Sequence, residues 1–230
     1  MKNCFEIIDF HSHILPGADH GSASLEISNK QLALAKESGV NRVISTSHFY
    51  PHVHTVDTFL EKRNNAYSAL LPHIPKDMEI RLGAEVLICN GIENLPGLER
   101  LFVNGTNTLL LELSFSDFRS EYAESVSTMV KNGVNVVLAH ADRYNPAFIE
   151  EMLACGAKIQ LNAKALNTLF KRKVLYDWLS RGVVVALGSD IHGVDKTAYS
   201  SLIKAYGKIG KYAESICRES AEIWNKSVKF

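Results

Sequence analysis

Short apolar runs rich in β-branched residues alternate along the chain with longer stretches of helical periodicity. Short runs of this kind are typical of buried strands, whereas apolar residues three and four positions apart indicate amphipathic helices. The pattern predicts seven strands, at residues 5–10, 42–46, 79–86, 108–113, 134–139, 158–161 and 183–187. It predicts the main helices between them, over residues 25–38, 56–71, 122–131, 147–153 and 166–180.

Glycine closes several of the predicted helices, and a strand follows it within a few residues. Gly39, Gly133, Gly156 and Gly182 hold these positions, where helices commonly end in the left-handed conformation. The chain beyond Lys196 shows helical periodicity without another strand, and no Pro/Gly/Ser-rich linker divides it. Alternating strands and helices predict a parallel sheet, and seven such units within residues 1–230 favour a single α/β barrel domain over an open sheet.

Composition and charge narrow the class of protein. With 46% hydrophobic and 22% charged residues, the chain is ordinary for a globular protein and unlike a disordered one. Lys plus Arg and Asp plus Glu each number 25, so no net charge favours nucleic acid or an anionic membrane. The chain lacks an uninterrupted run of about 18 apolar residues. We therefore expect a cytoplasmic protein without membrane insertion, whose oligomeric state the sequence does not indicate.

The cysteines exclude several kinds of site. The four of them are widely separated and form no C-x-x-C pair, which argues against a zinc ribbon or a disulfide framework. None is followed six residues later by arginine, so the C-x5-R loop of cysteine-dependent tyrosine phosphatases is absent from the sequence. A thiolate nucleophile of that kind is excluded.

Polar side chains stand where the predicted strands end. In parallel α/β folds the carboxyl ends of the strands meet at one rim, where active sites form. A lone histidine beside a strand is usually a hydrogen-bonded core residue, but four histidine sites and three carboxylates in register indicate a functional site. The residues at this rim are His11, His13, His48, Glu85, Glu112, His140, Asn162, Asp190 and His192.

The residue types at this rim predict bound metal. Asp9, His11 and His13 have the same strand parity, so their side chains point the same way and the two imidazoles can serve one ion. Nitrogen and carboxylate ligands without thiolate suit zinc, manganese or iron, and they outnumber the four ligands of one tetrahedral zinc. We infer two or three ions, with Glu85 and Glu112 as bridges. Asp9 either orients an imidazole or is a buried, paired acid.

Six sequence blocks resemble the PHP (polymerase and histidinol phosphatase) superfamily, and within it the bacterial metal-dependent protein-tyrosine phosphatases of capsular and exopolysaccharide loci. The resemblance extends from residue 7 to about residue 225. The blocks are His11-Ser12-His13-Ile14-Leu15-Pro16-Gly17-Ala18-Asp19-His20-Gly21-Ser22, Ser45-Thr46-Ser47-His48, Gly83-Ala84-Glu85, Leu111-Glu112-Leu113, Ala139-His140-Ala141-Asp142-Arg143-Tyr144 and Ser189-Asp190-Ile191-His192.

The resemblance implies a distorted (β/α)7 barrel with a trinuclear site, most often of Mn²⁺, with Fe or Zn as alternatives. The implied ligands are His11, His13, Glu85 and Asp190 for one ion, His48, Glu85, Glu112 and His140 for a second, and His20 with His192 and a shared carboxylate or water for a third. Position 20 is usually aspartate in the family, so an imidazole replaces a carboxylate there.

The substrate implied by the resemblance is the phosphotyrosine-rich tail of a tyrosine autokinase that controls polysaccharide synthesis and export. Arg143 matches a phosphate-holding arginine, and Lys196 lies where family members commonly have another arginine. We expect Arg143, His192 and Asp190 to act in catalysis, and Arg143 and Lys196 to bind substrate. A phenolate leaving group, with a pKa of about 10, favours aryl over alkyl phosphates, and His192 or His20 is the candidate to protonate it.

Three alternatives stay open at this point. One is a PHP-type phosphatase that acts on histidinol phosphate or another small phosphomonoester. Another is an amidohydrolase, although that class normally has a carboxylated lysine where this chain has Glu112. The third is a noncatalytic PHP module that binds a kinase and regulates it by occupancy.

Overall fold

Parallel strands surround the centre of the molecule. The computed structural model describes residues 6–114, 119–168 and 172–227. Within them every strand pairing is parallel. The strands are β1 (Ile8–Ser12), β2 (Arg42–Ser45), β3 (His48–Phe49), β4 (Glu79–Leu82), β5 (Glu85–Leu87), β6 (Thr108–Glu112), β7 (Asn135–Leu138), β8 (Lys158–Asn162) and β9 (Val184–Gly188).

Two of the seven predicted strands are interrupted, which explains why nine segments appear. β2 and β3 follow each other with only residues 46–47 between them, and β4 and β5 with residues 83–84 between them. Hydrogen bonds from Gly83 N–H to the Ser45 carbonyl (2.9 Å) and from Glu85 N–H to the Ser47 carbonyl (3.1 Å) carry the pairing across both interruptions. Each interrupted strand therefore counts as one unit, and the chain forms seven consecutive units. The hydrogen-bonded neighbours follow the orders β1-β2-β4 and β3-β5-β6-β7-β8-β9.

Backbone bonds just beyond the last strand close the ring. Asp190 N–H donates to the His11 carbonyl at 2.8 Å, and His13 N–H donates to the Ile191 carbonyl at 3.3 Å. These contacts join the segment after β9 to the end of β1, so the first and last units are neighbours. The expected distorted (β/α)7 barrel is confirmed.

Helices follow the strands on the outside of the barrel, as their amphipathic patterns predict. All four helix-closing glycines have positive φ, between 67° and 93°. The helix predicted over residues 166–180 begins later, at Arg172, because a separate short helix ends at Leu166; residues 169–171 lie outside the described part of the chain. The helices are α1 (Leu25–Glu37), α2 (Val56–Leu70), α3 (Glu121–Lys131), α4 (Pro146–Ala154), α5 (Ala163–Leu166), α6 (Arg172–Ser180), α7 (Ala198–Ile209) and α8 (Ala213–Asn225).

The last helix, α8, covers the amino ends of the strands. Trp224 lies beneath the guanidinium groups of Arg42, the first residue of β2, and Arg81 of β4, at 5.3 and 4.8 Å from its ring centre. Trp224 is 2% exposed and belongs to a buried apolar cluster with residues of several strands. This end of the barrel is therefore closed by packing. Among the described residues, no helix has the length and apolar character needed to cross a membrane.

Candidate metal centre

The opposite, carboxyl end of the barrel collects the ionisable residues that the sequence singled out. Each lies in the second half of one of the seven strand units, counting β2 with β3 and β4 with β5 as single units, or in the residues just after it. Their side chains are at most 10% exposed, except for His192 at 32%. The residues brought together are His11 and His13 from β1, His48 from β3, Glu85 from β5, Glu112 from β6, His140 after β7, and Asp190 and His192 after β9.

Glu85 lies at the middle of this cluster. Its Oε2 atom is 3.1 Å from His11 Nε2, 3.3 Å from His13 Nε2 and 3.0 Å from His48 Nδ1. Its other oxygen, Oε1, is 2.7 Å from His140 Nε2. One carboxylate thus faces imidazoles on two sides, the position that a bridging ligand between two cations requires.

Two further carboxylates complete the groups on either side of Glu85. Asp190 Oδ1 lies 3.6 Å from His11 Nε2 and 3.5 Å from His13 Nε2. Glu112 faces the other side, with its oxygens 3.8 Å from His48 Nδ1 and 3.6 Å from His140 Nε2. Nitrogen and carboxylate atoms in this arrangement are suitable ligands for divalent transition metals.

The ligand atoms form three overlapping groups whose members lie within 4.8 Å of one another. They are His11, His13 and Glu85; His48, Glu85 and Glu112; and His13, His48 and His192. His192 Nε2 is buried and has no hydrogen-bond partner within the described ranges. A buried lone pair without a partner is costly, and a cation at the third group would satisfy it. The cluster is therefore able to hold metal.

Two residues outside the candidate ligand set fix the orientation of the imidazoles. Asp19 Oδ2 lies 2.8 Å from His13 Nδ1, and Gln160 Oε1 lies 3.1 Å from His11 Nδ1. When Nδ1 donates to such an acceptor, the Nε2 lone pair points into the cluster. Gln160 was missed in the sequence, where its only signal is a glutamine inside a predicted buried strand.

Asp9 pairs with a serine and does not orient an imidazole. Its carboxylate accepts hydrogen bonds from Ser189 N–H at 2.7 Å and from Ser189 Oγ at 2.6 Å, and not from an imidazole. Burial raises the pKa of Asp9 to about 6, and these hydrogen bonds partly oppose that change. Asp9 is a buried, paired acid that holds the segment leading to Asp190.

The backbone is strained at two candidate ligands. His140 has φ of 33° and Asp190 has φ of 50°, and within the described ranges they are the only residues other than glycine with positive φ. Such conformations cost about 1–3 kcal/mol and persist where surrounding contacts impose them. His140 N–H donates to Gln160 Oε1 at 2.7 Å, and Asp190 N–H donates to the His11 carbonyl. Strain maintained in this way is typical of functional sites.

The cluster is electrostatically coupled. Burial would lower the pKa of His140, but hydrogen bonds to Glu112 and Glu85 outweigh it and raise the value to about 9. Burial would raise the pKa of Glu85, yet the adjacent imidazoles, His11 first, hold it well below its ordinary value. Burial, with the nearby charge of His13, lowers the pKa of His192 to about 4. Because a ligating imidazole must be neutral, metal binding at His140 would displace a proton from its ring.

The other predicted site residues lie in different places. The exposed ring of His20 stacks 4.6 Å from that of His48 and 4.9 Å from that of His192, but His20 belongs to none of the three ligand groups found in the described ranges. Arg143 Nη2 donates to Asp190 Oδ2. Lys196 instead lines a pocket on the outer face of α1, with Lys30.

Lys164, and not Lys196, shares a pocket with Arg143. Both residues line one pocket beside the cluster, and Lys164 pairs with Asp195. The loop after β9, where the sequence suggested a substrate-binding lysine, thus contributes a carboxylate that holds a lysine from the neighbouring strand end. Sequence spacing carries no signal for this pairing, because it joins α5 to the segment after β9, and these are 31 residues apart in the chain.

Comparisons with known proteins agree with this geometry. Residues 7–224 match the family model for capsular polysaccharide synthesis, CpsB/CapC. The chain is 27% identical over 228 residues to the tyrosine-protein phosphatase CpsB of Streptococcus pneumoniae, covering 87% of this chain and 91% of that protein. It is also similar, at TM-score 0.80 and 19% identity, to a chain from crystal structures of YwqE from Bacillus subtilis and CpsB from Streptococcus pneumoniae, described as unique metal-dependent tyrosine phosphatases. That match covers 97% of this chain and 96% of the other.

A more distant solved structure shares only the fold. It is a probable 2-pyrone-4,6-dicarboxylic acid hydrolase from Acinetobacter baumannii, at TM-score 0.58 and 13% identity, covering 95% of this chain and 99% of that chain.

Proposed function

The chain belongs to the CpsB/CapC family of capsular polysaccharide synthesis, and on that premise we propose that it is a metal-dependent protein-tyrosine phosphatase. The observation that carries the proposal is the position of Glu85, whose two oxygens face four imidazoles at the carboxyl rim of the barrel. Family membership agrees with the resemblance drawn from the six sequence blocks.

We propose two or three divalent ions, with Mn²⁺ first and Fe or Zn as alternatives. The absence of thiolate among the neighbouring groups favours the harder of these cations. The proposed ligand sets are His11, His13, Glu85 and Asp190 for the first ion, His48, Glu85, Glu112 and His140 for the second, and His20 with His192 for the third. The stacking of His20 on His48 and His192, with ring centres 4.6 and 4.9 Å apart, supports its inclusion.

The residues have distinct tasks in the proposed hydrolysis. Bound divalent ions neutralise phosphate charge and make water more acidic. Arg143, next to Asp190, is placed to donate hydrogen bonds to phosphoryl oxygens and to stabilise the charge that they carry in the transition state. The low pKa of His192 keeps its ring neutral near pH 7, which suits a ligand better than a proton donor. A tyrosyl leaving group, with a pKa of about 10, needs little protonation.

The physiological substrate that we propose is the phosphotyrosine-containing tail of a tyrosine autokinase of a polysaccharide export system. The description of the family and the name of the Streptococcus pneumoniae relative support this choice. The balanced charge of the chain argues against nucleic acid as the partner.

Metal analysis combined with turnover tests the proposal. Purified protein is assayed on a phosphotyrosine peptide, a phosphoserine peptide and histidinol phosphate, before and after chelation. We expect divalent metal in the protein, preference for phosphotyrosine, loss of turnover on chelation and recovery with Mn²⁺. Alkylation of the free thiols Cys89, Cys155 and Cys217 should leave turnover intact. Preference for histidinol phosphate, or no turnover with metal fully loaded, would contradict the proposal.

A further inference from the structure

A pocket of about 380 Å³ opens beside the metal centre and contains none of its proposed ligands. Asp142, Arg143 and Asn162 line the side nearest the centre, and Ala165, Thr168 and Leu175 line the other. Its volume lies within the usual range of about 300–1,000 Å³ for small-molecule sites. The pocket is large enough to receive part of a substrate.

Two residues connect this pocket directly to the proposed metal centre. Arg143 Nη2 and Asn162 Nδ2 both donate to Asp190 Oδ2, the latter at 3.2 Å. The same two side chains form the near wall of the pocket. A phosphoryl group bound by Arg143 at the centre would therefore lie directly beside the pocket.

The described residues of the far wall are mainly apolar. Leu175 is 1% exposed, Ala165 packs against the main hydrophobic core, and Thr168 directs its hydroxyl to the Ala165 carbonyl at 3.0 Å. Lys164 lies at the edge, where Asp195 pairs with it. An apolar wall facing a polar entrance fits a group that is apolar at one end and anionic at the other.

We infer that this pocket receives the aromatic ring of the phosphotyrosine side chain while Arg143 holds its phosphate. The inference rests on the proposed function and assigns a binding site to its substrate. The phosphate is bonded directly to the ring, so the ring must occupy space next to Arg143. Tyr144 does not offer a stacking surface, because it is 5% exposed and its hydroxyl donates to the Leu113 carbonyl at 3.0 Å. The pocket thereby selects aryl over alkyl phosphates.

Filling the pocket tests the inference. Ala165→Phe places a ring in the cavity, and Ala33→Phe is the matched control, because Ala33 is also a helical alanine that lines a surface pocket. Calorimetry on metal-loaded protein compares phenylphosphonate, which carries a ring, with methylphosphonate, which does not. We expect Ala165→Phe to weaken phenylphosphonate by about tenfold or more, a change of about 1.4 kcal/mol, and to leave methylphosphonate within about twofold. Ala33→Phe should change neither affinity.

Turnover gives a second readout on the same variants. Ala165→Phe should lower kcat/KM for phenyl phosphate and phosphotyrosine peptide but not for acetyl phosphate, which has no ring. Thr168→Phe fills the same pocket and replaces Ala165→Phe if that variant does not fold with a normal metal content.

Three results would overturn the inference. The first is an equal loss of affinity or kcat/KM for compounds with and without a ring, and the second is no loss for either kind of compound. The third is a loss of kcat/KM confined to the peptide, which would place a neighbouring residue of the substrate in the pocket. Failure of the proposed function looks different, because the wild-type protein would then show no turnover or would prefer histidinol phosphate, while phosphonate binding would still report on the pocket.

Discussion

The two ends of the barrel differ in the kind of side chain that they bury. At the carboxyl rim, histidines and carboxylates are buried together, and His140 and Asp190 adopt strained backbone conformations. At the amino end, α8 closes the barrel with Trp224 and Ile223, which pack into an apolar cluster. Charged groups are present there too, but Arg42 and Arg81 lie over the face of Trp224 and keep part of their surface in solvent.

The difference separates activity from stability within one fold. Burying ionisable groups together at the rim costs free energy of folding, and these groups are the ones suited to bind cations. Apolar burial at the other end contributes stability without chemistry. Substitutions at the two ends should therefore change different measured quantities.

Replacing Glu85 should have the largest effect. Glu85→Gln removes the charge that four imidazoles face, so we expect loss of metal and a fall in kcat/KM of well over about 100-fold, since even partners beyond the ligands typically account for about 10–100-fold. Metal analysis and phosphotyrosine turnover measure both. Glu99→Gln, at an exposed glutamate, is the control. Full metal content in Glu85→Gln would show that Glu85 is not a ligand.

Removing the tryptophan at the closed end should change stability alone. Trp224→Ala deletes a side chain that is 2% exposed, and we expect the free energy of unfolding to fall by about 3–5 kcal/mol. Denaturant unfolding measures it, and Trp224→Phe should lose less. Metal content and kcat of the folded fraction should match the wild type, and a selective loss of kcat would contradict the separation of the two ends.

Arg143→Ala should lower activity while metal is retained. If Arg143 contacts the phosphoryl oxygens, kcat/KM should fall by the equivalent of about 2–4 kcal/mol. Arg100→Ala is the matched control, because Arg100 is also a half-exposed arginine paired with an aspartate, Asp57, away from the centre. Wild-type kinetics in Arg143→Ala would mean that Arg143 serves only to pair with Asp190.

The smallest effect is expected on the outer surface, away from both ends. Arg181 pairs with Glu150 at 2.7 Å and, first among the causes, lowers the pKa of that carboxyl below its ordinary 4.5. Arg181→Ala should lower the free energy of unfolding by about 1 kcal/mol or less near pH 7. Because the pKa of Glu150 is lower in the folded state than in the unfolded state, this stabilisation is complete above about pH 4.5. It is lost as the pH falls through the pKa of Glu150 in the folded state. The difference between variant and wild type should therefore shrink in acid, and a constant difference would assign it to packing.

The alternation of strands and helices, the glycines that end helices, and the ionisable residues at strand ends were all predictable from the sequence. Each depends on the identity and spacing of residues within one segment, as with His11 and His13 two positions apart on β1. Seven consecutive βα units bring the carboxyl ends of their strands to one rim whatever the details of packing, so the meeting of His48, Glu85 and His140 also followed.

Only the tertiary structure decided which side chains face each other across the rim. Gln160 supports both His11 and His140, and Lys164, in place of Lys196, shares a pocket with Arg143. These contacts depend on strand register, on the interruptions before His48 and Glu85, and on closure of the barrel through Asp190 and His11. Register and closure arise from the packing of all seven units together, so no local pattern of residues encodes them.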